Sequence, residues 1–250
     1  MSYFSDSTCD RQNPDLNKFY DYLEKHNNQK WHTRRMGYSI DYIYPFIKDF
    51  FKKNKKCVIL DLGNAEYIFT KALKDILNCE ILFSKNNISY KNELNDNKSA
   101  DIILCMEVIE HLPDINTYQN MEGQIFKYTG MKQMLENIVN YMKDESILFI
   151  TTPNLCSYRC IGNLLNNIHP FNWIPHPREL TIEELNNLCE ESGLEIISYC
   201  TKRSWTWLSE HETNLIKDLI NNKNRKSSKD KKNLNENRED NIFHISKKKI

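Results

Sequence analysis

The segment Asp101-Ile102-Ile103-Leu104-Cys105-Met106-Glu107-Val108-Ile109-Glu110-His111-Leu112 joins an apolar run to a cluster of ionisable side chains. The run from Ile102 to Met106 is short and lacks polar alternation. It reads as a strand buried on both faces, as in a parallel sheet. Similar runs lie on either side of it. Residues 57–62 (CVILDL) lead into a turn at Gly63, residues 80–83 form a second short run, and residues 146–151 (SILFIT) stop at Thr152-Pro153-Asn154. Residues 194–199 and 241–246 (NIFHIS) complete the set, with at most a weak strand near 88–90. Helical spacing fills the intervals at 67–77, 131–142, 181–192 and 205–220. Thr181-Ile182-Glu183-Glu184 has the form of a capping box, and Gly193 closes that helix. Strands alternating with helices predict an α/β fold with a mainly parallel sheet covered on both faces. In such sheets ligands sit at the carboxyl ends of the strands, so Asp61, Gly63, Met106 and Glu107 are expected around one crevice.

Upstream, residues 16–25 and 36–53 carry helical patterns, the second with Tyr42, Phe46, Phe50 and Phe51 near one face. Residues 1–35 are therefore expected to form a polar, helical N-terminal extension. Residues 36–250 are expected to form the main domain, with 221–240 as a flexible loop rich in Asn, Lys and Ser. The 34 Lys+Arg balance the 34 Asp+Glu in the 250-residue chain, which argues against a wholesale basic footprint for duplex nucleic acid. No apolar run reaches the roughly 18 residues of a membrane-spanning helix. The polar first ten residues lack the basic-then-apolar pattern of a secretory leader. The eight Cys are dispersed, several inside apolar runs, as expected for free thiols in a reducing cytosol. Cys156 and Cys160 form a C-x-x-x-C pair with no second pair at zinc-site spacing.

Four segments, in order, resemble the class I S-adenosylmethionine (SAM) dependent methyltransferases. Val58-Ile59-Leu60-Asp61-Leu62-Gly63 is similar to the first SAM motif, and the 101–112 segment to the fourth-strand motif. Ile147-Leu148-Phe149-Ile150-Thr151-Thr152-Pro153-Asn154 is similar to the fifth strand and its exit. His176-Pro177-Arg178-Glu179-Leu180-Thr181 is similar to the approach to the late helix. The resemblance implies a Rossmann-like fold with a mostly parallel seven-stranded sheet, flanking helices and an N-terminal helical cap. It also implies SAM as cofactor, held by Asp61, Gly63, Asn64, Ser84, Met106 and Glu107. Three positions depart from the pattern: Ala65 and Tyr67 stand where the family has its second and third glycines, and Ser84 where it has an acid for the ribose. The Tyr67 ring is expected near the volume of the donor.

Glu107, Glu110 and His111 form E-x-x-E-H. A helical turn starting after Met106 would put both carboxylates on one face. With His176 they would hold Mg2+ or Mn2+, as in the two metal-dependent branches of the family that this segment resembles, the small-RNA 2′-O-methyltransferases and the ubiquinone-pathway O-methyltransferases. The other reading has Glu107 facing the donor, Glu110 and His111 packing the turn, and His176 acting as a loop clamp or acceptor-side base. Phe171, Trp173, Trp205 and Trp207 are expected over the crevice. The basic run at 223–232 reads as solvated loop or phosphate contact. The function these features imply is a cytoplasmic SAM-dependent O-methyltransferase acting on a hydroxyl of a saccharide or small metabolite, with His111 and His176 as catalytic candidates. Two alternatives stay open: a metal-dependent RNA 2′-O-methyltransferase, and an inactive methyltransferase-like binding or scaffold protein.

Overall fold

A computed structural model describes residues 13–26, 30–53, 56–63, 67–84, 99–112, 129–171, 173, 176–204, 208–224 and 237–250. The elements run α1 (Pro14–His26), α2 (Lys30–Lys53), β1 (Val58–Leu62), α3 (Tyr67–Leu77), β2 (Glu80–Phe83), β3 (Ala100–Met106), α4 (Thr129–Tyr141), β4 (Met142–Pro153), α5 (Tyr158–Leu165), α6 (Ile182–Glu191), β5 (Leu194–Lys202), α7 (Glu210–Asn224) and β6 (Asn241–Lys248).

Among the described residues the sheet has six strands in the order β2-β1-β3-β4-β6-β5. Seven were expected. The weak strand proposed near 88–90 lies outside the described residues. β1 pairs parallel with β2 and β3, and β3 with β4, while β6 runs antiparallel to both β4 and β5. The chain leaves β1 for β2 on one side and returns to β3 on the other, which opens a crevice beyond the ends of β1 and β3.

Strand period two divides the apolar residues between the faces. Ile59, Ile102, Leu104, Phe149 and Phe243 point to α1, α2 and α3. Leu60, Ile103, Cys105, Ile150 and Ile242 point to α4 and α6. Every residue of β3 is buried, as its apolar run requires. On the first face Phe19 and Leu23 of α1 share one apolar cluster with Ile43 and Ile47 of α2. Tyr20 adds a hydrogen bond from its hydroxyl to Asp41.

α2 begins at Lys30 rather than 36, because the pattern before it includes buried Thr33, Arg34 and Arg35, polar residues that a search for apolar spacing passes over. The last helix runs Glu210–Asn224, so the first residues of the expected 221–240 loop continue α7. Residues 225–236 and Trp205 and Trp207 lie outside the described residues. α5 was not foreseen. Its signal is Ser157, whose side chain caps the helix by accepting from the Cys160 N–H at 3.2 Å. The capping box at α6 is present as read: Thr181 Oγ1 accepts from Glu184 N–H at 3.1 Å, and Glu184 accepts from Thr181 N–H at 2.8 Å. No helix among the described residues is long and apolar enough to cross a membrane.

Candidate functional site

The site is built where β1, β3 and β4 end and β6 begins. Asp61, one residue before the end of β1, is 3% exposed, and its carboxylate accepts from Thr70 Oγ1 of α3 at 2.5 Å. Its side chain thus ties strand to helix. Gly63 follows with φ +78°, and an added Cβ would stand 2.6 Å from Val108 Cγ2. Both conformation and closeness require glycine here. Asn64 and Ala65 lie outside the described residues. Tyr67, first in α3, is 51% exposed and close enough to Tyr22 of α1 to add to the upward shift of that phenol. Ser84 follows β2 and donates its N–H to the Asp61 carbonyl at 3.2 Å. Met106 is buried on the α2 face of the sheet.

Glu107 does not begin a helical turn. Its φ is +54°, its N–H donates to the Thr151 carbonyl at 2.8 Å, and a single 3-10 turn covers Ile109–His111. The left-handed residue parts the two carboxylates. Glu107 turns toward α2, where Arg35 Nη1 lies 3.0 Å from its Oε2 and Asn241 Nδ2 donates to its Oε1 at 3.2 Å. The ion pair is almost dry, at 3% and 11% side-chain exposure. Arg35 also donates to His32 Nδ1 at 2.9 Å. Glu110 turns to the other side, where Thr152 Oγ1 donates to it at 3.0 Å. Burial, then the nearby charge of Glu107, holds the Glu110 carboxyl well above the usual carboxylate range.

Across the rim stand His111 and His176, with ring centroids 4.7 Å apart and nearly perpendicular. Trp173 packs edge-on against both, at 5.7 Å and 5.0 Å. Burial, then His176, lowers the pKa of His111, which favours the neutral ring. His176 is 7% exposed, and its Nδ1 lies 2.8 Å from Glu179 Oε1. The structure therefore brings Glu110, His111 and His176 together, with one ligand atom from each within 4.8 Å of the others. Glu107 is not in that group. Two nitrogens and one oxygen at this separation suit a divalent cation.

Four residues not among the expected site residues complete the rim: Arg35, Asn241, Thr152 and Glu179. Arg35 carries no local signal, and Glu179 is marked by its spacing of three from His176. Asn241 carries no local signal. Its Oδ1 is buried without a hydrogen-bond partner, as is Thr151 Oγ1. Asn241 sits opposite Pro153 and Thr151 opposite Phe243 in the β4–β6 ladder.

Residues 31–199 match a family model described as a methyltransferase domain. The ubiquinone biosynthesis O-methyltransferase of Rickettsia canadensis is 25% identical over 109 residues, covering 42% of this chain and 39% of that one. The match thus spans about two fifths of that relative's length. The enzyme of the same name from Rickettsia typhi is 22% identical over 182 residues, covering 63% of this chain and 68% of that one. A solved S-adenosylmethionine-dependent methyltransferase from Clostridium acetobutylicum superposes with a TM-score of 0.47 at 12% identity, covering 95% of this chain and 99% of that one.

Proposed function

From the premise that this chain belongs to the methyltransferase-domain family, we propose that it is a SAM-dependent O-methyltransferase acting on a hydroxyl of a small metabolite. The observation that carries the reading is the dry Arg35–Glu107 pair at the β3 rim. A guanidinium beside a carboxylate is complementary to an amino-acid zwitterion, the form of the donor's methionine end. Arg35 would take the α-carboxylate. Glu107 and the unpartnered Asn241 Oδ1 would accept from the ammonium. Gly63 lets the backbone approach closely, and Ser84 offers one hydroxyl toward a ribose. The bound donor supplies a methyl group already activated on sulfonium, so the protein's task is positioning. His176, with His111 beside it, would accept the proton of the acceptor hydroxyl. The name of the Rickettsia relatives supports a small-molecule acceptor.

A second reading rests on the Glu110, His111 and His176 cluster. There Mg2+ or Mn2+ would orient vicinal hydroxyls, such as those of a ribose at an RNA end, and lower their pKa. Because Glu110 holds its proton strongly, cation binding would release it, and affinity would rise with pH. Calorimetric titration with SAM, with and without Mn2+, tests both. The expected result is SAM binding that Arg35→Ala abolishes. No binding at millimolar donor overturns the enzyme reading in favour of a scaffold. SAM-dependent turnover that is unchanged by a chelator overturns the metal reading.

A further inference from the structure

Glu179 is fully buried, yet it stands against a ring that faces the site. Its Oε1 accepts from the Trp173 backbone N–H at 3.1 Å and lies 2.8 Å from His176 Nδ1. The position is held from both sides along the chain. Leu180, the next residue, forms a parallel bridge with Asn154 at the exit of β4, and its carbonyl accepts from Leu155 N–H at 3.0 Å. Thr181 then starts the capping box of α6. Arg159 of α5 lies within electrostatic reach of Glu179 and supplies a countercharge inside the fold.

A carboxylate oxygen can only accept. Facing it, the neutral His176 ring must carry its proton on Nδ1, and the lone pair is then on Nε2. Resting on the proposed methyl-transfer reading, we infer that Glu179 is a positioning residue: it holds His176 in the Nδ1–H tautomer and so leaves the lone pair on Nε2 of a ring that groups with His111 and Glu110. Trp173 makes the lock one-sided. Two N–H groups converge on Oε1, so an amide at position 179 must present its oxygen there, because its NH2 would meet two donors. Glu179→Gln therefore keeps the tautomer, and Glu179→Leu releases it.

The test is a long-range 15N–1H correlation spectrum of the labelled protein, recorded where the imidazoles are neutral, combined with methyl-transfer kinetics. In the unsubstituted protein His176 is expected to show a protonated Nδ1 and a pyridine-like Nε2. Glu179→Gln should keep that pattern. Glu179→Leu should move the proton to Nε2 and lower kcat by about 10–100-fold, with the SAM dissociation constant unchanged. A protonated Nε2 in the unsubstituted protein overturns the inference whether or not any variant folds. So does a Leu variant that keeps the Nδ1–H pattern. Absence of methyl transfer in the unsubstituted protein refutes the functional reading instead, while the tautomer measurement still decides the role of Glu179.

Discussion

Gly63→Ala tests the packing where β1 ends at the crevice. Two costs add at this residue. The first is conformational: φ is +78°, and an L-residue in the left-handed region costs about 1–2 kcal/mol. The second is steric. The new Cβ would lie 2.6 Å from Val108 Cγ2 and 3.3 Å from its Cγ1. Val108 is β-branched and packs against the cluster beneath β1 and β3, so it has little freedom to turn away. Overpacking of this kind costs about 1–3 kcal/mol. Together the substitution should destabilise the protein by about 2–5 kcal/mol. Replacing Val108 separates the two, since Val108→Ala removes both methyl groups but leaves φ as it was. In the Val108→Ala background Gly63→Ala should cost only the conformational part, giving a coupling of about 1–3 kcal/mol. Equilibrium urea unfolding of the four proteins measures it. An equal cost in both backgrounds refutes the steric argument, and a cost below about 1 kcal/mol in the Val108 background refutes the conformational one as well.

Arg35→Ala leaves Glu107 charged and nearly dry, which should cost about 3–5 kcal/mol in urea unfolding. The double variant Arg35→Met, Glu107→Gln should recover much of that stability, and failure to recover it would show that the pair is not the cause. His244 of β6 gives a pH dependence. Burial pulls its pKa from 6.5 to about 4, while Nε2–H donates to Asn186 Oδ1 at 3.2 Å. Between these values the unfolded chain binds the proton and the folded one does not, so stability rises with pH. Full stability is expected above about pH 6.5, with about 3 kcal/mol lost as pH falls to about 4. His244→Gln should flatten that slope, and an unchanged slope would assign it to other groups.

The layered α/β architecture is readable from one dimension because it rests on local periodicity. An apolar run such as 102–106 must be covered on both sides, and capping at Thr181 needs only residues three apart. The first-motif turn at Gly63 and the pairing of His111 with His176 around one rim were legible for related reasons. Turn chemistry marked Gly63. Strand ends converging on one crevice placed His111 there, and the likeness in the 176–181 segment suggested His176.

The partners of Glu107 were not legible. Its side follows from one left-handed φ, and its charge is answered by Arg35, far upstream on α2, and Asn241, far downstream on β6. Nothing local distinguishes that arginine from a solvated one, because a buried charge is stable only where another element supplies the counter-charge. The metal-like cluster lost Glu107 for the same reason, and His176 gained Glu179 only once Leu180 was bridged to the strand exit. Periodicity, turns and caps are properties of neighbouring residues and survive in the chain as written. Ion pairs, tautomers and close approaches between distant segments depend on distances of a few ångströms, and those exist only after the layers have packed.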